Sequence, residues 1–170
     1  MGYMPYTVYY PEYCDKPVVV LGCGNILFGD DGFGPAVIDC ILHSGCVPEN
    51  ACFLNVGTSA REVLFDIVLS ERKPDTIIIV DAMECNREPG TVSEVSLDSI
   101  PDNKISDFSI HQVPTSNLLK ELRDHCHINV ILVILQPCEI PPEVKPGLSS
   151  AAQQAIKKAA DHVISIVRTI

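Results

Sequence analysis

The sequence predicts an α/β fold: a three-layer sandwich with a twisted, mostly parallel sheet of about five strands, one antiparallel edge strand, and helices on both faces. Three observations predict it. Short β-branched runs alternate with amphipathic stretches along the chain, the runs are apolar throughout as strands buried on both faces are, and the amphipathic stretches are long enough to cross from one strand to the next. At 170 residues, 46% hydrophobic and 20% charged, the chain suits one compact domain with a single fold. We place that domain at residues 17–170, after a tyrosine-rich segment at 1–16.

Pro17-Val18-Val19-Val20-Leu21-Gly22 reads as the first buried strand. Pro35 to Leu42 then spaces its apolar residues on one helical face, with Pro35 suited to the first helical position. Cys52 to Val56 is a second strand, and Arg61 to Ser70 a second helix with Leu64, Phe65, Val68 and Leu69 expected on its buried side. Thr76-Ile77-Ile78-Ile79-Val80-Asp81 is the clearest strand of all. After the turn Glu88-Pro89-Gly90, residues 91–97 alternate polar with apolar, as a half-exposed edge strand does. Residues 98–113 form a long polar stretch with little periodicity, the kind of loop that often carries function. A helix starts at Pro114, Ile128 to Leu135 is the last buried strand, and Ser149 to Val167 is a final amphipathic helix.

Composition narrows the function. A formal net charge of −10 repels phosphate backbones and anionic lipid, so no nucleic acid and no membrane surface is expected as a partner. No apolar run approaches the ~20 residues that span a bilayer, and no basic start with an apolar stretch marks a secretion signal. We therefore expect a cytoplasmic protein. The eight cysteines are widely spaced with no Cys-x-x-Cys pair, which predicts reduced thiols packed as small hydrophobes.

Open sheets of this kind bind ligands beyond the carboxyl ends of their strands, where strand order reverses. Gly22-Cys23-Gly24-Asn25 ends the first strand there. A dinucleotide loop would need a third glycine at position 27, where the chain has Leu27, and Asp30 with Asp31 would repel a pyrophosphate. One of these two acids can simply stabilise the helix start. Asp81 leaves the third strand at its carboxyl end, and a lone carboxylate is costly there unless it is paired, hydrogen-bonded or metal-bound. If the first and third strands are neighbours, their tips lie about 5 Å apart and acids from both can converge on one ion. His111 is the histidine within the irregular stretch, while His43, His125, His127 and His162 fall in or beside helices. Two carboxylates and an imidazole would suit zinc, nickel or another divalent ion and hydrolytic chemistry.

These residues occur in an ordered set: Gly22-Cys23-Gly24-Asn25-Ile26-Leu27 with Asp30-Asp31-Gly32-Phe33-Gly34, then Gly57-Thr58, Ile79-Val80-Asp81-Ala82, Pro89-Gly90-Thr91, Ser109-Ile110-His111-Gln112 and Pro146-Gly147-Leu148-Ser149. In this the chain resembles the nickel-iron hydrogenase maturation endopeptidases of the HyaD/HybD type. The resemblance implies a hydrolase that removes the C-terminal extension of a nickel-loaded hydrogenase large-subunit precursor. It also implies Asp31, Asp81 and His111 as catalytic and metal-binding residues. The nickel would be supplied by the precursor, with another divalent metal as an alternative. Asn25, Asp30, Gly57 and Thr58 are candidate cleft-lining residues. Gly29, the Asp30-Asp31 pair and Gln136-Pro137 are similar to archaeal members that process the coenzyme F420-reducing hydrogenase. A rival reading is a nickel-binding maturation chaperone without proteolysis. The tyrosines at 3, 6, 9, 10 and 13 suit either a docking arm for the precursor or packing on the domain's own surface.

Overall fold

The computed structural model describes residues 11–100 and 115–170. Five strands, β1 (Val18–Cys23), β2 (Ala51–Gly57), β3 (Thr76–Ala82), β4 (Val92–Val95) and β5 (Asn129–Leu135), form one sheet in the order β2-β1-β3-β5-β4. The first four in that order run parallel, and β4 pairs antiparallel with β5 from Val92 opposite Leu135 to Val95 opposite Leu132. Between the strands lie the helices α1 (Phe33–His43), α2 (Ala60–Leu69) and α3 (Thr115–Asp124), and α4 (Ser150–Thr169) follows β5.

Every residue of β1 and β3 is buried, because each has a strand on both sides and a helix layer on both faces. The period of two sorts their side chains between two cores. On one face Val18, Val20, Ile78 and Val80 meet Phe33, Val37, Ile38 and Ile41 of α1 and Ala159, Val163 and Val167 of α4. On the other, Val19, Leu21, Ile77 and Ile79 meet Leu64 and Ile67 of α2 and Leu119 and Leu122 of α3. Phe65 and Leu69, expected on the buried side of α2, are instead exposed, because the face of α2 toward the sheet runs through Ala60, Leu64 and Ile67. The alanine ridge Ala152-Ala155-Ala159-Ala160 lets α4 approach the sheet closely.

The chain moves outward from β1 to β2, then returns past β1 to lay down β3 on its other side. That reversal opens the crevice at the carboxyl ends of β1 and β3. Packing there is tight: a methyl group at Gly34 would stand 2.2 Å from the Cys23 carbonyl oxygen and 2.3 Å from that of Val80. Only glycine lets the first turn of α1 rest against both strand tips. Helix α1 starts at Phe33 behind a 3-10 turn over Gly29–Gly32, so Pro35 is its third residue rather than its first; the position still lies in the first turn, where no intrahelical N–H bond is lost. The edge strand is also shorter than the alternation over 91–97 suggests, since a 3-10 turn over Leu97–Ser99 ends it.

Ahead of β1, a 3-10 turn spans Glu12–Asp15, and the Tyr13 hydroxyl donates to Asp66 Oδ2 at 2.8 Å. Tyr13 thus packs on the domain's own surface, while the other four tyrosines lie outside the described residues. All eight cysteines are free thiols. Among the described residues no helix is long and apolar enough to cross a membrane.

Candidate functional site

The loop leaving β1 is built by its own side chains. Gly24 has φ of +120°, a conformation open to glycine, and its N–H donates to the Gly57 carbonyl at 3.0 Å. Asn25 then closes a local turn: its Oδ1 accepts from the Leu27 N–H at 3.0 Å and its carbonyl from the Phe28 N–H at 3.1 Å. The Asn25 N–H points inward and donates to Asp31 Oδ2 at 2.7 Å. Gly57 is the last residue of β2, with φ of +53°, and Thr58 beyond it is exposed.

Asp30 and Asp31 are neighbours in sequence and nearly inaccessible, at 1% and 2% exposure, yet their surroundings differ. Asp30 Oδ1 accepts from the Ser149 N–H at 2.7 Å, and its Oδ2 accepts from the Cys138 N–H at 2.8 Å and the Ser149 hydroxyl at 2.9 Å. These three bonds tie the β1 loop to the segment between β5 and α4. Ser149 is in turn the N-cap of α4, accepting from the Ala152 N–H at 3.2 Å. Asp30 is therefore a brace whose lone pairs are committed to the fold.

Asp81 comes from the other tip. It lies one residue before the end of β3 in register with Ile134 of β5, it is 4% exposed, and its Oδ1 accepts from the Ala82 N–H at 2.8 Å. Gly24 is the hinge of the pair: a methyl there would fall 1.8 Å from the Asp31 carbonyl oxygen and 3.5 Å from Asp81 Oδ1. The structure thus brings Asp31 and Asp81 together around Gly24. Burial first and the Asp31 carboxylate second push the Asp81 carboxyl up to about 8, while the Ala82 N–H acts in the opposite direction. The neutral form of Asp81 is thereby favoured, with Oδ1 engaged as an acceptor from Ala82. A divalent cation suits such a place, since it offsets the repulsion between two buried acids that otherwise keeps one of them neutral. Among the described residues no group of three histidine, cysteine, aspartate or glutamate side chains comes together as a metal cluster. His111 lies outside the described residues.

One organising residue escaped the sequence reading of the site. Gln136 follows β5 as Asp81 closes β3, and it is 4% exposed. Its Oε1 accepts from the N–H groups of Cys85 at 2.8 Å and Arg87 at 3.2 Å, and its Nε2 donates to Glu84 Oε2 at 2.9 Å. Its own backbone pairs with Thr91 and Gly90. One neutral amide thus shapes the whole loop after β3, which walls a pocket of about 380 Å³ together with Val95, Ser99 and Ile100. The signal available in sequence was a polar residue immediately after a continuous apolar strand.

With this geometry in place, comparison with known proteins is informative. A family model described as HycI, hydrogenase maturation protease, matches residues 36–166. The coenzyme F420 hydrogenase subunit delta of Methanothermobacter thermautotrophicus is 36% identical over 154 residues, covering 88% of this chain and 94% of that protein. Among solved structures, the hydrogenase maturating endopeptidase HybD from E. coli superposes with a TM-score of 0.67 at 25% identity, over 89% of this chain and 92% of that one. The maturation protease HycI from Thermococcus kodakarensis shares the fold, with a TM-score of 0.72 at 20% identity over 90% and 93% of the two chains. The chain is a hydrolase and belongs to the hydrogenase maturation protease family.

Proposed function

We propose that this protein acts in the cytoplasm as an endopeptidase on the nickel-loaded precursor of a nickel-iron hydrogenase large subunit, removing a C-terminal extension. The observation that carries the reading is the pair of buried acids, Asp31 and Asp81, meeting at the tips of β1 and β3 in a chain of the maturation protease family. The 36% identity to a protein named coenzyme F420 hydrogenase subunit delta supports the coenzyme F420-reducing hydrogenase as the source of the precursor.

In this reading the nickel arrives as part of the substrate. Asp31 presents a carboxylate fixed by the Asn25 N–H. Asp81, whose neutral form burial favours, would release its proton to solvent water as positive charge approaches, leaving two oxygen donors. His111 would supply an imidazole as the third. A divalent ion held there polarises a neighbouring carbonyl and lowers the pKa of water, both of which favour peptide hydrolysis. The protein's own contribution is positional: Gly24 and Gly34 let the acids and the helix start approach, and the Asp30 brace keeps the loop from yielding.

The test is to incubate the protein with precursor loaded or not loaded with nickel and to measure intact masses. The expected result is loss of one C-terminal peptide from the loaded precursor alone. A loaded precursor that binds but keeps its full mass would replace this reading with a nickel-binding chaperone.

A further inference from the structure

Among the described residues most exposed large apolar side chains stand away from the β1 loop, as Phe65 and Leu69 do on α2 at 41% and 80% exposure. Ile26 and Leu27 do not. They are consecutive, 62% and 44% exposed, and they sit in the loop that delivers Asp31. Beside them is Val144, 65% exposed. The next residue, Lys145, donates its N–H to the Leu27 carbonyl at 2.8 Å and accepts from the Gly29 N–H at 2.9 Å, so Phe28 and Lys145 form a parallel bridge. Three exposed apolar side chains thus project from two segments that are laced together. Next to Ile26 a hollow of about 210 Å³ is bordered by Gly32, Pro35, Ala36 and Leu148.

The loop that carries these side chains is not free to fold them away. Asn25 closes it from within, Lys145 from one side and the Asp30 brace from the other. An apolar surface fixed in an exposed position loses little conformational entropy when a partner covers it. Its location selects the partner. Asn25, whose N–H holds the Asp31 carboxylate, is the residue next to Ile26, about 4 Å away from Cα to Cα. A polypeptide whose reacting bond reaches Asp31 along this side of the crevice passes over this rim.

We propose that Ile26, Leu27 and Val144 form the docking face for the hydrogenase precursor, receiving apolar side chains close to its cleavage site, one of which enters the hollow between Ile26 and Leu148. This rests on the function proposed above. It assigns these residues to recognition of the precursor, apart from the acids that address its metal.

The experiment measures binding of immobilised nickel-loaded precursor to the wild-type protein and to variants, alongside cleavage by intact mass. Ile26→Ser with Leu27→Ser is expected to weaken binding about tenfold or more, and Val144→Ser by a smaller factor. Leu69→Ser, on α2 and outside the patch, should bind as wild type. The conservative pair Ile26→Val with Leu27→Met should also bind as wild type. Binding within twofold of wild type for the double serine variant overturns the proposal. So does an equal loss in Leu69→Ser, or in the conservative pair, since the first indicates general stickiness and the second loop geometry. Wild-type protein that binds the precursor without cutting it overturns the peptidase reading, yet leaves the tenfold difference as the test of the patch. Wild-type protein that does not bind at all overturns the docking face.

Discussion

The tips of β1 and β3 each present a buried aspartate to the same crevice, but the loops that follow them are secured by different chemistry. The β1 loop is secured by charge: Asp30 accepts three hydrogen bonds from residues 138 and 149, and Asp31 is reached by the Asn25 N–H. The β3 loop is secured by the neutral Gln136 amide, while Asp81 accepts only from its own neighbour Ala82 among the bonds described for it. Asp30 is bound into the fold by long-range donors, and in the function proposed above Asp31 and Asp81 are the pair that meets the metal. Burial first and the Asp31 carboxylate second push the Asp81 carboxyl up to about 8, so of the two acids it is the one in β3 whose neutral form is favoured.

The largest effect tests whether both tips belong to one centre. Asp31→Asn and Asp81→Asn are each expected to lower the cleavage rate of nickel-loaded precursor by roughly 10²-fold or more, with folding retained by circular dichroism. Normal turnover in folded Asp31→Asn would reduce the centre to one tip. The second prediction concerns pH. Folded Asp81 keeps its proton up to about pH 8, whereas the unfolded residue releases it near 3.8. The native state therefore binds more protons between those values, and this group's contribution to stability falls as pH rises through that window, then levels off. Urea midpoints at several pH values should show Asp81→Asn gaining on wild type toward alkaline pH; a constant difference would remove Asp81 from the pair.

Asp30→Asn replaces one acceptor oxygen with an amide that faces the N–H groups of Cys138 and Ser149. A loss of about 2–3 kcal/mol in unfolding free energy is expected by urea titration, because buried donors lose a charged acceptor. A loss confined to activity would move Asp30 from brace to chemistry. The smallest effect belongs to the neutral clamp: Gln136→Leu should cost about 1–2 kcal/mol and speed amide hydrogen exchange across residues 84–91, leaving residues 24–32 protected. Faster exchange in both loops would mean that the tips are not held separately.

What was legible in the sequence follows from the range of the interactions. The strands showed themselves because burial on both faces demands uninterrupted apolar runs, as in Ile77 to Val80. That Asp31 meets Asp81 was legible only on the condition that the first and third strands are neighbours, a condition the order β2-β1-β3 meets. The division of labour between Asp30 and Asp31 was not legible, because the donors to Asp30 lie 108 and 119 residues away along the chain. Gln136 was hidden for the same reason, since its partners at 84–91 are distant in sequence and close only through the β3–β5 pairing. Pro35 was misplaced by two positions because the 3-10 turn over Gly29–Gly32 delivers the chain into α1 earlier than the apolar pattern suggests.

Asp81 stands in a strand that is laddered to a neighbour on each side over most of its length. Its Cα is as fixed as the core itself, while the segments beyond β1, β3 and β5 end at the surface. The border proposed to meet the precursor and the loop that delivers Asp31 are one segment, whereas Asp81 is held by the sheet, so a change of partner bears on one acid of the pair and spares the other.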